Sequence, residues 1–146
     1  FNLPGVREGE KMEGAILFDH EDPLTRIIGN TEGCIKPERY ELKTEKHIWV
    51  FDEESFAEDA VILDRSQVGL AILLDSDGRP QIGISFDAPC IGIWSPYGKN
   101  APFVCLEPWY GVHDWAGYEG EFKDKYLMNH LLPGAAFMSS YEIKVF

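Results

Sequence analysis

Basic side chains are scarce in this sequence. Its 146 residues include 13 Lys and Arg against 25 Asp and Glu, which gives a formal net charge of -12 at pH 7. A surface of that sign repels a phosphate backbone and gains nothing from counterion release. We therefore expect neither nucleic acid nor an anionic membrane as a partner.

Long apolar runs are also missing, since none approaches the roughly 20 residues that a membrane-spanning helix needs. The amino end lacks the basic-then-apolar pattern of a signal peptide. The three cysteines, Cys34, Cys90 and Cys105, are an odd number with long gaps, which suits neither a disulfide framework nor a zinc site. Cys90 and Cys105 lie in apolar runs, where a thiol is usually a small buried group. These features predict a soluble protein of the reducing cytoplasm.

Signatures of several chemistries do not occur. The sequence has no Gly-rich phosphate loop, no G-x-S-x-G elbow and no Cys/His nucleophile motif. Its four histidines lack the spacing of known metal sites. We therefore predict no metal and no cofactor, which leaves acid/base chemistry on a polar neutral ligand, or binding of one.

Short runs of β-branched and aromatic residues, broken by Gly, Pro, Asn and Asp, are what the sequence has in abundance, and they predict strands. The predicted strands cover residues 15–18, 39–43, 47–51, 60–63, 68–74, 81–86, 90–95, 102–107 and 136–145. Turn residues at 75–78 and 96–100 predict antiparallel hairpins. Only short helical turns are expected, at 53–58 and 121–130. The pattern predicts an all-β sandwich or barrel in one domain, or in one contiguous piece of a larger domain.

The predicted strand at 136–145 alternates between apolar and polar residues. Its aromatic and β-branched residues occupy odd-numbered positions, and most of its polar residues occupy even-numbered ones. The aromatic and β-branched residues are Phe137, Tyr141, Ile143 and Val145. Such a pattern predicts a strand with one buried face and one solvated face.

Glu107 ends an apolar run and is followed by Pro108. Because Pro has no backbone N–H, we expect the strand to end there. A carboxylate at a strand end suits a general base, since the rigid strand fixes where its oxygens point. The competing interpretation is a Glu at a sheet edge, bonded to a neighbouring backbone N–H.

Aromatic residues cluster in the same half of the chain: Trp94, Tyr97, Trp109, Tyr110 and Trp115. Aromatic faces stack on the C–H faces of a sugar, while carboxylates take its hydroxyls, so this composition indicates a carbohydrate ligand. Large aromatic side chains that close the end of a β-sandwich would give the same pattern.

Several stretches together resemble the carboxyl half of the aldose 1-epimerase (galactose mutarotase) superfamily, and most closely its bacterial galactose mutarotase-related branch. They are Phe1-Asn2-Leu3-Pro4, Phe56-Ala57-Glu58-Asp59-Ala60-Val61-Ile62, Ile93-Trp94-Ser95, Pro102-Phe103-Val104-Cys105-Leu106-Glu107-Pro108-Trp109, Gly111, Asp114, Lys125, Leu131 and Pro133-Gly134. The resemblance implies an all-β fold, a large antiparallel β-sandwich (the galactose mutarotase-like supersandwich). Residues 1–146 would then be the carboxyl-terminal portion of one such domain.

The resemblance also implies a mechanism and its residues. A Glu at the position of Glu107 takes the proton from the anomeric hydroxyl of a hexose, galactose or glucose, and a His protonates the ring oxygen. Asp59 matches the Asp that holds the substrate. Trp94, Trp109 and Asp114 are the further substrate-binding candidates, with a loop-fixing role behind Glu107 also open for Asp114. We expect the Glu107 and Asp59 carboxylates to face one aromatic-lined cleft.

The catalytic His is expected upstream of Phe1, in an amino-terminal part of the same protein, which becomes an expected partner. Five arginines scattered among acidic neighbours favour a free sugar over a sugar phosphate; they are Arg7, Arg26, Arg39, Arg65 and Arg79. The expected function is therefore an aldose 1-epimerase-like isomerase that is incomplete in this chain. The alternatives are a non-catalytic sugar-binding or sugar-sensing protein, and a glycoside-active sandwich that pairs Glu107 with Asp59.

Overall fold

The computed structural model describes residues 1–20, 23–29 and 33–146. Ten strands in these ranges form two antiparallel five-stranded sheets. They are β1 (Glu13–Phe18), β2 (Leu24–Gly29), β3 (Ile35–Leu42), β4 (Ile48–Asp52), β5 (Val61–Leu63), β6 (Leu70–Leu74), β7 (Pro80–Phe86), β8 (Cys90–Trp94), β9 (Cys105–Trp109) and β10 (Tyr141–Val145). Sheet 1 has the order β10-β7-β6-β1-β4, and sheet 2 has the order β3-β2-β5-β8-β9.

The core lies between the sheets and takes alternate side chains from both. Sheet 1 contributes Ile16, Phe51 and Leu73, and sheet 2 contributes Leu63 and Ile93, all almost fully buried. Because successive strand residues point to opposite faces, the residues between them in sequence lie on the outer faces. The predicted all-β antiparallel sandwich is confirmed.

Both predicted hairpins are present. The turn at 75–78 joins β6 to β7, where Asp75 Oδ1 accepts from the backbone N–H groups of Asp77 and Arg79 at 2.9 Å. Residues 96–100 lie in the connection between the antiparallel strands β8 and β9. The expected helical turns are two short 3₁₀ segments, Glu53–Phe56 and Phe122–Asp124. None of the helices in the described ranges is long and apolar enough to cross a bilayer.

Two edge strands extend past a predicted bound, and the extension of each includes a Pro, although β9 also begins three residues later than predicted. β3 begins at Ile35 and includes Pro37, and β9 continues through Pro108 to Trp109. An edge strand leaves some N–H groups unpaired, so Pro is tolerated there. The prediction that the strand stops at Glu107 was wrong: Glu107 lies in the middle of β9.

One strand was not predicted, and one further prediction was wrong. β2, which the sequence did not reveal, is a central strand of sheet 2. β10 is shorter than expected and has no buried face, since Tyr141, Ile143 and Val145 are 63%, 48% and 76% exposed. β10 is the outermost strand of sheet 1, and its alternating apolar side chains do not pack in the core.

Candidate functional site

The candidate site lies on the outer face of sheet 2. In β5, Val61 and Leu63 enter the core, so Ile62 points to the opposite face. By the same alternation Leu106 is in the core and Glu107 lies on the outer face. The pairing registers set Ile62 opposite Gly92, and Gly92 opposite Glu107.

Residues 110–127, which we call the cover segment, cross this face. The segment follows β9 at one edge of sheet 2 and reaches β3 at the other edge, where Ile35 N donates to Asp114 O at 2.8 Å and Ala116 N donates to Ile35 O at 2.9 Å. Trp115 and Tyr126 pack on the outer-face apolar cluster that includes Ile27, Ile35, Ala60, Ile62 and Cys90. The cover segment therefore shields the β3 side of the face.

Glu107 is half-buried and lies between two partners on its own strand. The indole N–H of Trp109 donates to Glu107 Oε2 at 3.0 Å. On the other side, the pKa of the Cys105 thiol is raised by burial, and also by the negative charge of Glu107 and a hydrogen bond to it. Residues two apart on a strand share a face, so the three side chains form one row along β9.

The Trp109 ring lies across Gly92 of the neighbouring strand. A Cβ placed on Gly92 would come within 2.4 Å of the ring. The edge of the ring also faces His113, with ring centroids 5.9 Å apart. Residues 108–113 line a pocket of about 370 Å³ beside them. Trp109 thus connects Glu107 to the first residues of the cover segment.

Asp59 is exposed at the other side of this face. It precedes β5 in a left-handed conformation (φ 69°), which Asp tolerates, and lies next to Gly29. It precedes by three residues Ile62, which lies two strands from Glu107 and level with it in the register. That the two carboxylates face one cleft stays a prediction.

The other two predicted site residues lie in different surroundings. Trp94 is opposite Cys105 in the register and packs on the outer-face cluster, with its ring 6.5 Å from that of Phe103. Asp114 pairs with Lys125, Oδ1 to Nζ 3.0 Å, near the β3 edge. The structure thus brings Trp94 toward Glu107, whereas Asp114 joins two parts of the cover segment at the opposite edge.

A buried charge cluster that the sequence did not reveal lies on the same face. Asp64, 0% exposed, receives hydrogen bonds from Arg39 and from the Tyr126 hydroxyl, the latter at 2.6 Å, and Arg65 Nε is 3.6 Å away. Burial opposes the charge of Asp64, but the hydrogen bonds and the two arginines outweigh it, so its pKa is lowered. Burial and Asp64 raise the pKa of Tyr126 to about 12.

Two of the apparently scattered arginines therefore meet at one carboxylate. The only hint in the sequence was a charged residue directly after an apolar strand. Among the described residues, no three His, Cys, Asp or Glu side chains are grouped closely enough to hold a metal ion.

Comparisons with known proteins concern the sequence and the fold of the chain. No family model matches the chain. Protein LacX of Lactococcus lactis subsp. lactis, in its plasmid and chromosomal forms, is 30% identical over 159 residues, covering 99% of this chain and 49% of LacX.

Two solved structures are similar in fold. A galactose mutarotase-like protein from Lactobacillus casei ATCC 334 has a TM-score of 0.81 at 23% identity, covering 98% of this chain and 49% of that one. A galactose mutarotase related enzyme from Lactobacillus acidophilus has a TM-score of 0.81 at 27% identity, covering 100% and 49%. The chain spans about half the length of the relatives it matches.

The fold is therefore that of a galactose mutarotase-like β-sandwich. Together with the 27% identity to the galactose mutarotase related enzyme, this fold confirms the resemblance to the galactose mutarotase superfamily.

Proposed function

We propose that this chain carries the general base of an aldose 1-epimerase-like site, and that the base is Glu107. The observation that supports this most is the position of Glu107: half-buried, on the outer face of a mutarotase-like sheet, with one carboxylate oxygen held by Trp109. A base that is fixed by a strand and a hydrogen bond loses little freedom when it meets a substrate.

The chemistry moves two protons. Glu107 takes the proton of the anomeric hydroxyl, while an acid protonates the ring oxygen as the bond between C1 and that oxygen breaks. The open-chain aldehyde rotates about C1–C2 and recloses as both protons return. The reaction needs no redox partner and interconverts the α and β anomers.

The acid, in this proposal, is a histidine from an amino-terminal segment outside these 146 residues. The relatives are about twice as long as the chain. His20 and His47 contact each other at the end of β1, in sheet 1, with ring centroids 4.8 Å apart. His113 contacts Trp109 and is the alternative that must be tested.

The proposed substrate is a neutral hexose such as galactose or glucose. Trp94 and Trp109 supply aromatic surface on the outer face, and Asp59 supplies a carboxylate for hydroxyl groups. Arg39 and Arg65 are engaged with Asp64, which argues against their use in binding a phosphate.

Polarimetry of freshly dissolved α-galactose, with imidazole added as an external proton donor, tests the proposal. We expect a protein-dependent mutarotation rate that rises with imidazole and falls by about 10² in Glu107→Gln. Glu119→Gln, an exposed Glu of the cover segment, is the matched control and should keep the full rate. An undiminished rate in Glu107→Gln would overturn the role of Glu107.

Two further arms separate the alternatives. His113→Asn should leave the imidazole-dependent rate unchanged, and a loss equal to that of Glu107→Gln would place the acid at His113 instead. Saturation-transfer NMR with galactose reports binding directly. Binding without any protein-dependent rate would favour a non-catalytic sugar-binding protein, and absence of both would reject a hexose site.

A further inference from the structure

We infer that Trp109 is a positioning residue for Glu107, and that Gly92 is required because it leaves room for the Trp109 ring. The catalytic meaning of this inference rests on the proposed function. The geometric part, an indole that fixes a carboxylate, rests on the contacts alone.

The hydrogen bond selects one carboxylate oxygen. Trp109 Nε1 is 3.0 Å from Glu107 Oε2, which fixes the carboxylate through that oxygen while the group keeps lone pairs that can accept a proton. A free Glu side chain populates several rotamers, and holding it in one costs entropy. The indole packs across the sheet and has few rotamers of its own. Because its hydrogen bond to Glu107 forms when the protein folds, the side-chain entropy of Glu107 is lost during folding and not during substrate binding.

The position of Trp109 in turn depends on Gly92. The three closest ring atoms would lie 2.4, 2.7 and 2.7 Å from a Cβ at residue 92. No real Cβ contact is that short, so Gly92→Ala must push the ring off the sheet and away from Glu107. Gly111 offers a matched control in the same part of the chain, because the nearest atom to its Cβ would be 3.9 Å away.

Exchange of the indole proton with solvent tests the geometry without any assay of activity. The chain has four tryptophans, so ¹⁵N-labelled protein gives four indole signals, and Trp109→Phe identifies the one from Trp109. We expect about tenfold faster exchange of the Trp109 proton in Glu107→Ala and in Gly92→Ala, since a bond to a charged acceptor is lost. Gly111→Ala should match the unmodified chain.

Unshifted signals of Trp49 and Trp115 would show that each variant is folded. Equal exchange of the Trp109 proton in the unmodified chain and in Glu107→Ala would overturn the inference. Unchanged exchange in Gly92→Ala would overturn the part that concerns Gly92.

A kinetic arm tests the functional consequence. Trp109→Phe keeps an aromatic ring but removes the N–H, so the imidazole-dependent kcat should fall about tenfold with KM within about twofold. A rise in KM alone would mean that Trp109 only contacts the sugar. If the unmodified chain shows no rate at all, the proposed function fails, and the exchange data still decide whether Trp109 holds Glu107.

Discussion

The hydroxyl of Tyr126 donates a hydrogen bond of 2.6 Å to Oδ2 of Asp64, joining residues 62 positions apart. This contact ties the cover segment to the interior of sheet 2. Tyr126→Phe should therefore lower the free energy of unfolding by about 2 kcal/mol, the usual effect of losing a hydrogen bond to a charged group. Urea denaturation measures it, with Tyr118→Phe as the control. Tyr118 bonds an exposed carbonyl of Glu121, so a loss there as large as at Tyr126 would contradict the assignment.

Asp64→Asn should cost more, about 3 kcal/mol at neutral pH, because it leaves Arg39 beside a neutral group in a partly buried site. The folded-state pKa of Asp64 lies below its ordinary value of 3.8, so its ion pairs contribute fully above that pH. Their contribution is lost as the pH falls through the lowered folded-state pKa. The stability difference between the two proteins should thus be constant near neutrality and shrink in acid.

Urea unfolding of both proteins from neutral pH to about pH 3 measures that difference. A difference that grows as the pH falls would show that the Asp64 carboxylate is not held in its charged form by Arg39 and Tyr126.

The thiol of Cys90 should be nearly inert in the folded chain. Burial, with a smaller effect from Asp64, raises its pKa to about 12, so at pH 8 only about one molecule in ten thousand carries the thiolate. Brief treatment with iodoacetamide, followed by peptide mass spectrometry, should label Cys90 only after unfolding. Prompt labelling of Cys90 in the native protein would mean that the outer face of sheet 2 opens readily.

The free edge at β10 should promote association of the chain at high concentration. Tyr141, Ile143 and Val145 form an exposed apolar row on an edge strand whose outer side pairs with no other strand of the described residues, and such an edge is a known template for pairing with another strand. Ile143→Lys should reduce self-association seen by sedimentation velocity, because a charge on an edge strand opposes pairing. A monomer at all concentrations in the unmodified chain would contradict this expectation.

Much of the fold follows from local pattern. Alternation and turn residues revealed most strands and the hairpin at Asp75–Gly78. The spacing of Glu107 and Trp109, two residues apart, already places both on one face of a strand. The edge positions of Pro37 and Pro108 depend on strand order, which local pattern does not contain, and so the bounds of β3 and β9 were missed.

The charge cluster was hidden for a related reason. Asp64 and Arg39 are 25 positions apart, and either one alone looks like a solvated residue. Burial of Asp64 becomes possible only when β3, β5 and the cover segment bring Arg39 and Tyr126 to it. The approach of Trp109 to Gly92 likewise needs the register of β8 and β9, which pairs Cys90 with Trp109 and Gly92 with Glu107.

In the proposed site, Glu107 meets the anomeric end of a sugar on the outer face of sheet 2. A crystal structure of the Glu107→Gln chain with galactose tests it most directly, because this variant should bind the sugar without turning it over. The anomeric oxygen should lie about 3 Å from the side-chain oxygen or nitrogen of residue 107, a normal hydrogen-bond distance. Galactose bound elsewhere on the chain, or with its anomeric carbon directed away from residue 107, would contradict it.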